Sequence, residues 1–152
     1  MKCLLSIPVI NVLVSGGSDK SIRFWWYFTR AAFYNELTAA RDVAKIDPSQ
    51  NSMLGVLNEH YRPVECLSYV PGETTPESSI IFSADSMGVI KVWSIVTSGS
   101  PRTLQSTLLC CIEGHSTGIN DMWYGQGQLW TGFEQPLHLL IWFINSVISI
   151  NG

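Results

Sequence analysis

At 152 residues, 46% of them hydrophobic and only 14% charged, the chain has room for one domain. Such a domain would bury roughly 68–70% of its unfolded surface, and its solubility rests on few charges. Nine Lys and Arg against twelve Asp and Glu leave a net charge of −3. No basic run supplies the clustered cations that a phosphate backbone requires, so no nucleic-acid partner is expected. The four cysteines, Cys3, Cys66, Cys110 and Cys111, form no C-x-x-C pair and have no His at ligand spacing. They read as small buried hydrophobes of a reducing compartment, and no metal or cofactor is expected. The chain opens on no secretory leader pattern, so a cytoplasmic or nuclear location is expected.

Taken in order, Met1 to Ile7 is already strand-like, Pro8 to Asn11 is a turn, and Val12 to Trp25 reads as a β-hairpin. From Tyr27 the pattern changes. Phe33, Leu37, Ala40 and Ala44 recur at helical spacing, and the reading is one helix from about Thr29 to Ile46. Asp47-Pro48-Ser49 ends it, and it is taken as an insertion packed over a sheet edge. Ser52 to Leu57 is a short strand. Val64 to Val70 is another, followed by a solvated loop from Pro71 to Glu77 with two prolines and two acids.

The best-formed stretch follows. Ile80-Ile81-Phe82 and Val89-Ile90-Lys91-Val92-Trp93 are β-rich runs separated by turn residues, which predicts a hairpin. Val89, Lys91 and Trp93 point one way and Ile90 and Val92 the other, so both faces are mostly apolar and need sheet neighbours. Leu104 to Ile112 and Gln128 to Thr131 are further strands. From Phe133 the pattern fails. Leu137 to Ile150 is an apolar run of 14 residues, short of the roughly 20 that span a bilayer, and reads as a degenerate strand pair. No membrane association is expected.

Two internal repeats emerge. Ser15 lies ten residues before Trp25, as Ser83 does before Trp93, and Ser-Ile-Arg-Phe-Trp25 matches Val-Ile-Lys-Val-Trp93 in its order of apolar, cationic, apolar and Trp. Independently, His60 and His115 are each followed nine residues later by a Tyr, Tyr69 and Tyr124.

A Gly-His pair before one strand, Ser and Asp in a hairpin, and Trp closing it resemble the WD-repeat family of β-propellers, over most of residues 1–132. The resemblance implies an all-β fold: an incomplete propeller arc of about two to three four-stranded blades. Its units fall at about 1–26, 52–95 and 104–132, with a helical insertion at 27–51 and a degenerate tail at 133–152, in a single partial domain. It also implies a buried structural relay from His through Ser and Asp to the indole N–H of Trp. Carried over, Ser15, Asp19 and Trp25 fill three places in the first unit. His60, Ser83 and Trp93 match in the second, where Met87 stands in the place of Asp19 and Asp85 could serve only through a longer turn. The third keeps Gly114 and His115, with Pro136 where an acid belongs if Trp142 closes it, so His115 is expected to lack an equivalent partner. The Trp-Asp dipeptide itself never occurs.

No G-x-S-x-G, H-E-x-x-H, Walker loop or paired-carboxylate arrangement is present. Neither Cys66 nor Cys111 has an activating charge nearby, so no catalytic residue is expected and the chain is not read as an enzyme. The resemblance implies a protein–protein interaction scaffold, a fragment of a larger propeller. A truncated or mis-spliced product without independent function is the alternative. The partners implied are proteins, and open blade edges favour self-association.

Overall fold

The computed structural model describes residues 1–27, 53–70, 78–99, 103–113, 116–133 and 138–143. The helix expected over 29–46, Gly114, His115 and the end of the tail lie outside the described residues.

Eleven strands carry the described chain: β1 (Cys3–Ile7), β2 (Val12–Gly16), β3 (Ile22–Trp26), β4 (Met53–Leu57), β5 (Val64–Tyr69), β6 (Ser78–Asp85), β7 (Val89–Ser98), β8 (Thr103–Glu113), β9 (Ile119–Gly125), β10 (Gln128–Phe133) and β11 (His138–Phe143). They form three sheets in chain order, β1-β2-β3-β4, β5-β6-β7-β8 and β9-β10-β11, with every neighbouring pair antiparallel. First strands meet first strands, β1 against β5 and β5 against β9, while the outer β4 touches β8. The sheets therefore stack in series as an open, incomplete propeller-like arc.

Sequence repeat and sheet are out of phase. The unit at 52–95 contributes β4 to the first sheet and β5, β6 and β7 to the second.

Alternation along the strands makes the core. The first sheet turns Val12, Val14, Ile22 and Phe24 toward Ile81, Trp93 and Ile95 of the second. The second turns Phe82, Ala84, Ile90 and Val92 toward Ile119, Met122, Tyr124 and Leu129 of the third. The central hairpin is thus covered on both faces, as its two apolar faces require. Trp93 and Phe82, one on each face, are fully buried, and side chains of this size stabilise by about 1.5–3 kcal/mol each when removed from water. Phe82 also stacks on Tyr124 with ring centroids 5.5 Å apart.

The first two sheets agree in detail. Gly16 pairs with Ile22 and Ala84 with Ile90, leaving five residues in each connection. Lys20 N–H donates to the carbonyl of Gly17, and Gly88 N–H to that of Asp85, both at 3.1 Å. Lys20 and Gly88, at the same place in their turns, both have left-handed backbone, with φ of 69° and 85°. A bulge interrupts the pairing immediately before Trp25 and again before Trp93.

Candidate functional site

The site most completely built is where the β4–β5 connection meets the β6–β7 hairpin. His60 lies in that connection and is 3% exposed. Its Nε2 is 2.7 Å from Ser83 Oγ and its Nδ1 3.1 Å from Asp85 Oδ2. Trp93 Nε1–H donates to the same Ser83 Oγ at 2.8 Å.

Counting protons assigns the tautomer. The indole can only donate, so Ser83 Oγ accepts from Trp93 and gives its own proton to His60 Nε2. Nδ1 then carries the ring proton and donates to Asp85. The other carboxylate oxygen, Oδ1, accepts from the backbone N–H of Met87 at 2.9 Å and of Val89 at 3.1 Å. One continuous chain thus runs Trp93, Ser83, His60, Asp85 and into the turn, joining β7, β6, the incoming connection and the next hairpin bend. Burial, which disfavours the imidazolium, outweighs the carboxylate of Asp85 and holds His60 below its ordinary value. The ring is neutral at neutral pH, in agreement with the tautomer.

Asp85 reaches His60 through a turn of the same length as that of the first sheet, not a longer one. Gly17 stands in the place of Asp85, and Asp19 in that of Met87. Yet Asp19 Oδ1 accepts from the backbone N–H of Ser21, the residue equivalent to Val89, at 3.3 Å, and from the Ser21 hydroxyl at 2.8 Å. Two different turn positions serve the same N–H. Asp19 also pairs with Arg23 at 2.6 Å on the surface. The Ser21 hydroxyl first, and the Arg23 guanidinium after it, pull its carboxyl down to about 2. Trp25 Nε1–H donates to Ser15 Oγ at 2.9 Å, as Trp93 does to Ser83. Ser15 and Trp25 are therefore brought together, and Asp19 bonds instead to Ser21 and Arg23.

In the third sheet the strand register reveals a residue that spacing alone had missed. Ser15 pairs with Leu4 and Arg23, Ser83 with Leu67 and Lys91, and Thr131 with Met122 and Leu140. Thr131, fully buried, occupies the serine's place, and Trp142 the place of Trp25 and Trp93. The connection to β11 is one residue longer than in the first two sheets, so Thr131 lies eleven residues from Trp142 rather than ten.

The expectation of four buried thiols holds for Cys66 and in part for Cys3 and Cys110, whereas Cys111 is exposed. Cys3 Sγ donates to the Val64 carbonyl and Cys66 Sγ to that of Ile119, each contacting the first strand of the next sheet. Burial pushes the Cys3 thiol up to about 11 and raises Cys66 further. Neither is a thiolate nucleophile at neutral pH. Among the described residues no group of three or more His, Cys, Asp or Glu could hold a metal ion, and no helix is long and apolar enough to cross a membrane.

No protein-family model matches the sequence, and no curated protein matches it as a relative. Among solved structures, the crystal structure of Sqt1 from Chaetomium thermophilum superposes with a TM-score of 0.59 at 18% identity, covering 97% of this chain and 32% of that one. Two computationally designed proteins also match, Ika4 with a TM-score of 0.41 over 93% of this chain and 89% of its own, and Ika8 with 0.39 over 95% and 46%, each at 15% identity. The chain thus spans about a third of the Sqt1 structure. At such identity it is the fold that the first likeness shows, and with the three serial antiparallel sheets it fits a propeller-like arrangement.

Proposed function

We propose that the chain is a non-enzymatic protein–protein interaction scaffold of the WD-repeat type. In this reading His60, Ser83, Asp85 and Trp93 are its structural relay, Ser15, Asp19 and Trp25 are the corresponding residues of the first unit, and His115 is that of the third. The supporting observation is that both ring nitrogens of His60 are spent on buried protein partners, which leaves this buried histidine no atom for a substrate. Rigidity is what such a chain supplies, since a satisfied buried network specifies one geometry. Beside it the surface is apolar and exposed: Tyr61, next to His60, is 85% exposed, and Met87, in the turn held by Asp85, is 52% exposed. A large aromatic and a methionine on a fixed loop are the residue types that anchor protein partners.

The test compares affinity capture by the wild-type chain with capture by a Tyr61→Ala/Met87→Ala double variant. The expected result is a defined set of proteins lost from the variant while its melting temperature stays unchanged. Identical capture by both, or a turnover abolished by His60→Gln without a change in melting, would overturn the scaffold reading.

A further inference from the structure

The two ends of the arc are unlike, and each has the character of what the other needs. Inside the chain one kind of interface occurs twice. The face that carries Ser83 and Trp93 in the second sheet is covered by the Val14 and Phe24 face of the first. The equivalent face of the third sheet, carrying Met122, Leu129 and Thr131, is covered by the Phe82 and Val92 face of the second. By strand register, the first sheet's version of the covered face consists of Leu4, Leu13, Ser15, Arg23 and Trp25. Among the described residues nothing covers it: Leu4 is 53% exposed, and a groove of about 540 Å³ runs along it.

At the other end, Trp130 stands at the position of Val14 and Phe82, and Trp123 at that of Leu5 and Ser68. Val14 and Phe82 are fully buried by the following sheet, whereas Trp123 is 59% exposed and leans on Trp130, ring centroids 6.5 Å apart. Asp121 takes the place of Cys3 and Cys66, the residues that touch the first strand of the next sheet.

We infer that a second copy of this chain covers these faces. The Trp123 and Trp130 face of one chain seats on the Leu4, Ser15 and Trp25 face of the other, repeating between chains the interface that joins the sheets within them. The contact is heterologous, so it forms a ring only if the rotation closes. The three sheets of the described residues, taken from each of two copies of this 152-residue chain, make six, inside the range of 4–8 blades in which propellers close, and a third copy would exceed it. The assembly is therefore a dimer with two identical interfaces. The inference uses the stacking of the sheets and stands whether or not the scaffold reading does.

The experiment uses the full 152-residue chain and two variants that alter exposed side chains, Leu4→Glu at one end and Trp123→Glu at the other. Molar mass is read by light scattering after size exclusion, and circular dichroism checks that all three keep the same strand content. Wild type is expected at twice 16.9 kDa and each variant alone as a monomer. An equimolar mixture of the two variants is expected to recover the dimer mass, because the intact third sheet of Leu4→Glu fits the intact first sheet of Trp123→Glu. That rescue is the signature of head-to-tail pairing. A wild-type monomer, a mass that neither substitution changes, or a mixture that remains monomeric would each refute the inference.

Discussion

At the scale of single residues, the two tryptophans separate what a hydrogen bond contributes from where it is made. Both indoles donate to a serine ten residues earlier, but Trp93 is 1% exposed while Trp25 lies on a partly open face. Removing a partner costs most where the group left behind is buried. Trp93→Phe, which takes from Ser83 Oγ one of its two buried partners, is therefore expected to cost more than Trp25→Phe in parallel urea titrations of the monomer, and a larger loss for Trp25 would contradict the burial argument. His60→Ala strands two partners, Ser83 and Asp85, and is expected to cost about 1–3 kcal/mol. The same histidine sets a pH dependence. Burial holds its folded pKa below the ordinary 6.5, so below that pH the unfolded chain binds a proton that the folded chain does not. Stability should fall as pH drops below about 6.5, and thermal melts of His60→Ala should show a shallower slope over the same window.

At the scale of elements, a turn repeated in two sequences isolates its own strain. Gly88 adopts its left-handed backbone freely, whereas Lys20 holds the equivalent conformation with a Cβ. Lys20→Gly is expected to stabilise by about 0.5–1 kcal/mol after allowing for the greater freedom of glycine in the unfolded chain, and Gly88→Lys to destabilise by a similar amount. A chemical-denaturation midpoint that moves the other way for either variant would remove the equivalence of the turns. The strands of the first two sheets were legible because apolar alternation and the Ser-to-Trp spacing act locally and point to the same hairpins. Asp85 could be named from the sequence but the turn through which it acts could not, since a spacing template ties the carboxylate to one turn position while the N–H at Ser21 or Val89 can be reached from two. Thr131 was hidden for a related reason. One extra residue in the β10–β11 connection shifts the count to Trp142 without shifting the strand register, and only pairing shows that the serine's place is filled.

For the whole molecule, what decides solubility is whether the apolar tail is spare or structural. Leu137 to Ile150 carries no charge over 14 residues, and taken as a sequence it invites association. The sheet topology changes that expectation. His138–Phe143 is β11, paired to β10 in continuous register from Phe133↔His138 to Gln128↔Phe143. Without it, β10 becomes an edge strand whose backbone N–H and C=O groups on the β11 side are unpaired while those on the β9 side stay bonded, with its apolar residues Leu129 and Trp130 beside them. Deleting residues 133–152 therefore exchanges one apolar strand for a bare edge on a chain that has only 14% charged residues to oppose aggregation. The deletion is expected to lower soluble yield and to raise scattering intensity on standing, more than the double charge substitution Leu139→Glu/Ile141→Glu, which keeps the backbone ladder of β11 in place. A truncated chain that stays monodisperse at a concentration where the full chain scatters would show that β11 is dispensable to the third sheet, and that the tail is the source of association rather than the cover of an edge.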